Sequence, residues 1–534
     1  MSLEKNALNA LIWWPVLAFV ILIALPRKRT PESYKKWAFW LSTPPLIVSA
    51  LLVVAFQNAG WVAQAGEPYT VLQQWFEIAN LKVNYALYVD GLSLPLIALT
   101  ALITTLVIMY SNIEDRAQEY YALFLLLEVG MIGTFLAVDF FLFYVFWEIS
   151  LVPMYFIIGI WGGSNREYAA IKFFLYTLVG SVAMLLAFIW IWMTVPIKTL
   201  MFVNIGDAPS LIGQTSAAVR AFPGLALAAW WGIFLAFAIK VPTWPFHTWL
   251  PDAHTEAPTG GSIILAGVLL KMGGYGIFRI LLPVLPEQSY AMRMALLVMA
   301  VVGVVYGAFV AMAQTDLKKL IAYSSVNHMG YVMMGIAAAA AILHPDATEG
   351  QIRFAQVAAS GAIYQMLAHG FLTSGLFLLV GVIYDRTHTR DLSAFGGLGQ
   401  NLPEYAGWFR LFVFGSLGLP GLAGFIAEFL VFMGTFSSDA PGGMEFRVGS
   451  VIAGLGIVVT AAFLLWTIQR VLLGPLNVRW AKLPDVSLRE RLPLAILAIL
   501  ALVFGIFPNL LLATMQSYLN ALPTLAVGAS AVGM

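Results

Sequence analysis

Long apolar runs separated by short polar segments recur along the whole chain. A helix of about 20 apolar residues crosses a hydrocarbon core roughly 30 Å thick. Helices satisfy all their backbone hydrogen bonds internally, which such a core requires. The pattern predicts an all-α polytopic membrane protein with about fourteen transmembrane helices, over residues 8–25, 37–56, 91–110, 119–138, 140–160, 168–193, 223–241, 260–282, 290–313, 317–338, 354–384, 406–436, 448–472 and 492–515.

The composition supports this prediction and excludes several classes of protein. The 534 residues are 61% hydrophobic and 10% charged, whereas soluble proteins have roughly 25% charged residues. The absence of cysteine excludes disulfides, iron–sulfur clusters held by thiolates and zinc–thiolate sites. A formal net charge of +1 argues against a nucleic-acid partner. Without a Walker A loop or a GxGxxG run, we expect no cofactor in this chain.

The distribution of Lys and Arg predicts the orientation, because cytoplasmic loops carry an excess of them. With the N-terminus outside, sixteen basic residues fall in inner loops, Arg27 and Lys28 among them, and eight fall in outer segments, Arg279 among them. An even number of spans returns the chain to the same side. We therefore expect both termini outside.

Titratable side chains interrupt several predicted spans. A charge at bilayer depth costs on the order of 2.5–3.5 kcal/mol on insertion scales, and such residues usually belong to a hydrated pathway. Structural roles are alternatives for some: Glu128 as a polar partner between helices, Lys172 reaching the headgroups, and the histidines as packing residues. The candidates are Glu128, Glu148, Lys172, Lys240, Lys271, His328, His369 and Glu428.

Two predicted spans contain helix-breaking residues beside a charge. Pro242 and Pro245 follow Lys240 in the seventh span, and each proline frees a carbonyl one turn earlier. In the twelfth span, the segment GSLGLPGLAGF precedes Glu428. Broken helices at membrane depth recur at the ion sites of transporters, so both breaks point to a transport site.

The two breaks lie five spans apart. Since five is odd, the two broken helices run in opposite directions, which predicts inverted five-helix repeats over spans 4–8 and 9–13. On this offset, the corresponding pairs are Glu148 with His328, Lys172 with His369, and Lys240 with Glu428. The predicted domains are 1–110 (three N-terminal helices), 111–282 (first repeat), 283–475 (second repeat) and 476–534 (last helix and tail).

These residue types are suited to proton transfer. Histidine titrates near neutral pH, and Lys and Glu approach neutral titration in low-dielectric surroundings. A Glu near a Lys stabilises both charges, so moving Glu148 away from Lys240 would release the lysine proton. Waters must bridge the longer gaps. The main relay candidates are Glu148, Lys240, Lys271 and Glu428, and the secondary candidates are His328, His369, Glu128 and Lys172.

The segment PTWPFHTWLPDAHTEAPTGG after Lys240 offers an alternative, a metal site. It contains His247, Asp252, His254 and Glu256. The two histidines are seven residues apart with a proline between them, unlike the i, i+4 spacing of a helical metal pair. We therefore expect a capping loop and no metal.

Three stretches resemble a known family: FYVFWEISLVPMYFIIGIWGG, KVPTWPFHTWLPDAHTEAPTGGSIILAGVLLKMGGYG and GSLGLPGLAGFIAEF. They are similar to the antiporter-like membrane subunits of respiratory complex I, over about residues 85 to 475. The resemblance implies fourteen core helices, with broken helices seven and twelve inside inverted repeats. A glutamate at position 428, where sibling L and N types carry lysine, favours the M type, also known as chain 4 or D-type.

The resemblance also implies roles for individual residues. Glu148 matches the fifth-helix glutamate that pairs with a central lysine, Lys240, and Lys271 matches a relay lysine. Glu428 matches a residue near the proton exit, and Glu128 matches a glutamate near a neighbouring subunit. The two residues that match relay histidines are His328 and His369.

The expected function is that of a non-redox, proton-translocating subunit of an NAD(P)H- or ferredoxin:quinone oxidoreductase. The resemblance implies neighbouring L- and N-type subunits, with iron–sulfur clusters, flavin and quinone in partner chains. A bacterial cytoplasmic membrane is expected, with a thylakoid as the alternative. Other functions stay open: the D-type component of a multi-subunit Na⁺/H⁺ antiporter, the membrane part of a proton-coupled hydrogenase, or a structural scaffold.

Overall fold

The computed structural model describes residues 3–26, 29–60, 69–78, 80–205, 208–344, 346–437, 439 and 442–522. Arg27, Lys28 and the tail from residue 523 onward lie outside the described residues. Two predictions therefore fall outside the described residues: the inner-loop charge of Arg27 and Lys28, and the end of the predicted segment 476–534.

The described chain is mostly helical. Its main elements, in chain order, are α1 (Leu3–Ala24), α2 (Pro31–Asn58), β1 (Thr70–Ile78), β2 (Leu81–Tyr88), α3 (Ser93–Tyr110), α4 (Ala117–Leu136), α5 (Phe140–Trp161), α6 (Arg166–Thr194), α7 (Pro223–Lys240), α8 (Trp249–Glu256), α9 (Thr259–Val284), α10 (Arg293–Met312), α11 (Leu317–Ala341), α12 (Glu349–Thr387), α13 (Pro403–Ser416), α14 (Ala423–Phe436), α15 (Met444–Leu472), α16 (Leu488–Ile506) and α17 (Asn509–Ala521). Short helical turns lie in the connections, at Thr215–Ala221, Pro286–Ala291, Leu392–Ala394, Leu398–Asn401 and Val478–Trp480.

Among the described residues, eleven helices are long and apolar enough to cross a membrane. The pair α16 and α17, bent by 70° at its break, would make a twelfth. The prediction of a helical multi-pass membrane protein is confirmed. Two predicted spans fall outside this count: α11 is too polar, and the run 406–436 is divided into two helices of 14 residues each. The number fourteen therefore stays a prediction.

A β-hairpin connects α2 to α3, and the apolar-run pattern did not anticipate it. Strands β1 and β2 pair antiparallel, from Thr70 opposite Tyr88 to Ile78 opposite Leu81. The Asp139 carboxylate joins the hairpin to α5, because it accepts hydrogen bonds from the backbone N–H groups of Asn84 and Phe141, both at 3.0 Å. A polar connection can form strands outside the hydrocarbon region, where water satisfies the strand edges.

Burial divides the helices into a central and a peripheral set. The most apolar stretches of α9 and α12 are entirely buried within the protein, whereas less than half of the residues in those of α1, α2, α6 and α15 are buried. Exposed leucines, valines and isoleucines on these outer helices suit contact with lipid tails. Polar side chains at membrane depth are therefore expected to lie on the central helices.

Helix α9 is irregular on both sides of Lys271. Two π-helical turns, Leu265–Leu269 and Ile277–Leu281, flank the α-helical turn that carries this lysine. Turns of this kind are rare, and they often occur at functional sites.

Candidate functional site

The first helix break is stabilised by local hydrogen bonds. Helix α7 ends at Lys240, and the chain passes through Pro242 and Pro245 before α8 begins. The Ala238 carbonyl, which the prolines were predicted to free, accepts a hydrogen bond from the N–H of Thr243 at 2.7 Å. The neighbouring Ile239 carbonyl accepts one from the Trp249 indole at 2.9 Å. Two carbonyls at the end of α7 therefore have hydrogen-bond donors within the break itself.

Lys240 lies at this break, 1% exposed. Its Nζ lies 5.1 Å from the centre of the Trp147 ring and 5.7 Å from that of Phe173. Aromatic faces attract a cation, but the ammonium finds no hydrogen-bond acceptor among the described residues. The site therefore holds a lysine that is buried and incompletely satisfied.

Glu148 follows Trp147 on α5, so it lies on the helix that Lys240 faces. No ion pair within 4.0 Å joins Glu148 to Lys240 in the described part of the chain, and Glu148 Oε1 is buried without a hydrogen-bond partner. The two predicted switch residues are thus near one another without direct contact. A proton passing between them needs a bridging water.

The central part of the site joins four of the predicted residues. Lys271 Nζ lies 2.8 Å from His369 Nδ1 and also donates to the carbonyl of Ala266, in the first π-helical turn of α9. The His369 ring centre lies 5.9 Å from that of His328. His328 Nδ1 in turn lies 3.6 Å from Glu428 Oε1. These side chains form a buried row across α9, α12, α11 and α14.

The second helix break lies at the Glu428 end of this row. Gly418 and Gly421 both have positive φ, +79° and +94°, and they carry the chain from α13 into α14. A Cβ atom on Gly418 would lie 2.7 Å from Glu428 Oε2. The missing side chain at this glycine therefore leaves the space that the Glu428 carboxylate occupies.

A small polar cavity lies beside the row. The centre of a water molecule could occupy ≈ 10 Å³ of this cavity, which is enough for about one water molecule. Its polar lining consists of His328, Gln365, His369, Thr373, Ser416 and Glu428. A water there would shorten the gaps between the histidines and the carboxylate.

Besides Glu148 and Lys240 at the first break, two further predicted residues lie apart from this row. Both oxygens of Glu128 are buried on α4 with no hydrogen-bond partner among the described residues. Glu128 is therefore fully enclosed by the chain itself. Lys172 forms an ion pair at 2.6 Å with Asp252, on the short helix after the first break. This partly exposed pair connects α6 to α8.

The four polar residues after Lys240 make separate contacts. The His247 ring lies edge-on to the Tyr306 ring, with ring centres 5.3 Å apart. His254 stacks on Phe377, with ring centres 4.5 Å apart, and the Glu256 carboxylate accepts a hydrogen bond from the N–H of Asn165 at 2.9 Å. Asp252 forms the ion pair with Lys172 described above. In the described ranges, no three His, Asp or Glu residues are grouped closely enough to hold a metal.

A buried ion pair was not predicted from the sequence, where Arg279 was counted among the outer charges. Arg279 Nη2 lies 2.5 Å from Asp90 Oδ1, and both side chains are 6% exposed. The guanidinium also lies over the rings of Tyr88, Tyr275 and Tyr518, at 5.7, 5.6 and 5.1 Å. The sequence feature that could have indicated this pair is the position of Asp90 and Arg279 at the edges of two apolar runs.

A polar vestibule on the side of the predicted inner loops was not predicted either. Its volume is ≈ 460 Å³, and Lys318, Glu256 and Asp385 are among its lining residues. Lys318 is buried there and donates to the Ala257 carbonyl at 2.5 Å. In the sequence, Lys318 has the context of an inner-loop charge, because it lies at the first turn of a predicted span.

The chain is similar to known proteins over nearly its whole length. Residues 137–453 match the family described as NADH:quinone oxidoreductase/Mrp antiporter, TM. Residues 75–112 match the family described as NADH-Ubiquinone oxidoreductase (complex I), chain 5 N-terminus.

Individual relatives extend this similarity. NADH-quinone oxidoreductase subunit M of Rhodobacter capsulatus is 41% identical over 516 residues, which cover 95% of this chain and 94% of the relative. F(420)H(2) dehydrogenase subunit M of Methanosarcina mazei is 40% identical over 471 residues, or 86% and 89% of the two chains. A chain of respiratory complex I from Thermus thermophilus with bound NADH superposes with a TM-score of 0.80 at 27% identity, covering 98% of this chain and 99% of that one.

Proposed function

The chain belongs to the NADH:quinone oxidoreductase/Mrp antiporter membrane family, and from this premise we propose how its residues move protons. It is an antiporter-like, proton-translocating membrane subunit of the complex I type. The finer proposal is that protons travel along the row from Lys271 through His369 and His328 to Glu428.

One observation carries this proposal: the row consists only of groups that exchange protons, and each neighbours the next. The separations are 2.8 Å from Lys271 to His369, 5.9 Å between the two imidazole centres, and 3.6 Å from His328 to Glu428. Direct proton transfer requires that the two groups lie within hydrogen-bond distance of each other. One water molecule can bridge a gap of the size seen between the two histidines.

The chemistry of the row favours stepwise transfer. A proton on Lys271 is shared with His369 across their hydrogen bond, and a second positive charge on His369 is then disfavoured by repulsion. Passing the proton to His328 places it beside the Glu428 carboxylate, which stabilises the imidazolium. Release of the proton from Glu428 at the second break, together with uptake of a new proton by Lys271 from the input side, would return the row to its starting state.

We propose that Glu148 and Lys240 control the input to this row. Lys240 is buried without a hydrogen-bond acceptor among the described residues, so its charge depends on carboxylates that approach it. Redox chemistry in partner subunits would shift such charges along a shared axis of titratable residues. Glu128 and Lys172 would be secondary elements of that axis, and we propose that the redox groups lie in other chains.

We also propose fourteen crossings with two inverted repeats. The 25 residues of α11 extend about 37 Å, enough to span the core, and α13 with α14 would form one broken span. Each proposed repeat begins with a helix of 20 residues, then a helix whose N-terminus is capped by an aspartate, Asp139 or Asp316. Counted from these caps, Glu148 is the ninth residue and His328 the twelfth, so they differ by about one turn in register.

We propose an assembly with other membrane subunits, because the relatives are named as subunits of larger complexes. Neighbouring L- and N-type subunits would flank this chain, while flavin, iron–sulfur clusters and quinone would be held in other subunits. We propose both termini outside a bacterial cytoplasmic membrane. The vestibule lined by Lys318 would then open to the cytoplasm.

The proposal is tested with His328→Ala in inside-out vesicles from cells that carry the assembled complex. NADH-driven quenching of a pH-gradient dye should fall strongly, while NADH oxidation with ferricyanide, which bypasses the membrane arm, stays unchanged. His344→Ala is the matched control, because His344 is a partly exposed histidine beyond the end of α11. Normal quenching in His328→Ala would refute the row.

The family description also includes Mrp antiporters, so the D-type component of a Na⁺/H⁺ antiporter is the second candidate. Identification of copurifying chains separates the two: quinone reductase subunits support the first, and small antiporter subunits support the second. A structural scaffold predicts that the His328→Ala vesicles pump normally.

A further inference from the structure

A cleft of ≈ 880 Å³ opens on the side of the predicted inner loops, between the start of α2, the end of α3 and the start of α16. This volume is in the range of sites that bind small organic molecules. The residues that decide its chemistry are Lys35, Lys36, Phe39, Trp40, Met109 and Arg489. The proton row does not use any of them.

Two cations face this cleft without a carboxylate in direct contact. Lys35 is partly buried and forms no ion pair with any described Asp or Glu within 4.0 Å. Arg489 donates to the backbone carbonyls of Tyr110 and Ser111, at 3.2 and 2.8 Å, and likewise pairs with no described carboxylate. Lys36 differs, because it forms an exposed ion pair with Glu32 at 2.9 Å.

Acidic groups at the rim do not cancel this charge. Glu114 lines the cleft and is exposed, with no ion pair to a described cation. Glu32 pairs with Lys36 and also lies within electrostatic range of Lys35 and Arg489, but the lining carries three basic side chains against two acidic ones. The inner part of the cleft therefore has a net attraction for an anion held between Lys35 and Arg489.

Below the charges, the cleft becomes apolar and continues into the lipid-facing surface. Phe39 and Met109 form the apolar lining, and Trp40 is 69% exposed beside them. Exposed tryptophans mark the membrane–water interface. Further along α2, the exposed side chains Ile47, Leu51 and Val54 continue the same apolar surface.

We propose that this cleft binds an anionic glycerophospholipid. Its phosphate lies between Lys35 and Arg489, and its acyl chains follow Phe39 and Trp40 toward the exposed apolar side of α2. The cleft combines two cations with an interfacial tryptophan and a lipid-facing apolar surface. A lipid would contact both parts, whereas a soluble anion would contact only the charged part, so the cleft favours a lipid. This proposal is independent of the proton row.

The test uses the purified full-length chain in nanodiscs of phosphatidylcholine, with labelled phosphatidylglycerol or labelled phosphatidylcholine as the probe. We expect preferential quenching of the phosphatidylglycerol label by the nearby tryptophans. Lys35→Gln should reduce this preference about fivefold, the effect of one cation near a membrane surface. Lys35→Arg should retain it, which separates loss of charge from misfolding.

Lys482→Gln is the matched control, since it removes the same charge from an exposed position in another inner segment. A wild-type preference in this control, with a loss in Lys35→Gln, supports the lipid site. Equal losses in both variants, or no preference for phosphatidylglycerol in the wild type, would overturn it. Displacement of the lipid label by inorganic phosphate at matched concentration would assign a free-phosphate site and also overturn it.

Discussion

Lys271 on α9 and His369 on α12 are hydrogen-bonded at 2.8 Å although 98 positions separate them in the chain. The contact joins the segment predicted as the first repeat to the segment predicted as the second. Because both helices are buried along their most apolar stretches, the bond lies in low-dielectric surroundings, where it is stronger than in water.

If these two residues act in one serial path, their losses should not add. We expect Lys271→Ala and His369→Ala each to reduce proton pumping about tenfold or more, and the double variant to be no worse than either single one. Dye quenching in inside-out vesicles measures the rates, normalised to the amount of assembled complex. A double variant with a much larger loss than either single one would indicate separate paths.

Glu428→Gln keeps the size of the side chain but removes its negative charge and its ability to bind and release a proton. We expect pumping to fall about tenfold or more while NADH oxidation with ferricyanide stays at the wild-type rate. Glu349→Gln, at an exposed position in the first turn of α12, is the control and should pump normally. Wild-type pumping in Glu428→Gln would contradict a role for this carboxylate.

Alanine substitutions at Gly418 and Gly421 separate two effects. One is the cost of a positive φ for a residue with a side chain, and the other is the loss of the space that Glu428 occupies. Both glycines have positive φ, so alanine at either position should cost about 1–2 kcal/mol of stability. Only at Gly418 would the new Cβ meet Glu428, at 2.7 Å, whereas at Gly421 nothing lies within 4 Å. We therefore expect both variants to unfold earlier in detergent, and only Gly418→Ala to lose pumping. Equal pumping in the two would show that the Glu428 position is not critical.

The ion pair of Arg279 with Asp90 is expected to be structural. Arg279→Leu would leave the Asp90 carboxylate buried without its partner, at a cost of about 3–5 kcal/mol. Thermal unfolding of the detergent-purified chain should shift clearly downward. Asp90→Asn combined with Arg279→Gln should recover part of the loss, because no unpaired charge stays buried.

Arg491→Leu provides the control for this pair. It removes a guanidinium from an exposed pair with Glu404, and exposed pairs contribute little. An equal shift in Arg279→Leu and Arg491→Leu would contradict the structural role.

Much of the candidate site could be predicted from local features. Apolar runs identified the helices, and each intramembrane charge was visible as an exception within such a run. Pro242 and the glycines around Pro420 predicted the breaks, because their effect on a helix acts within one turn. Four of the eight candidates, Lys271, His369, His328 and Glu428, are neighbours in the structure.

Other features depended on contacts that local patterns do not encode. The hairpin of β1 and β2 lies in a connection whose hydrophobicity resembles that of any loop. Lys172 was predicted near the headgroups or in the relay, but its partner is Asp252, 80 positions away. Arg279 has the sequence context of a loop charge, yet it is buried because Asp90 and three tyrosines surround it.

The sequence by itself determined the membrane-spanning class, the two breaks and the inventory of proton-exchanging groups, since hydrophobicity and helix breaking are properties of consecutive residues. Only the tertiary structure decided which groups meet. The rotation of α9 against α12, set by packing along their whole buried length, places Lys271 at His369, whereas Lys240 faces Trp147 without contacting Glu148 directly. A proton path depends on such distances, and they arise from helix packing across residues far apart in the chain.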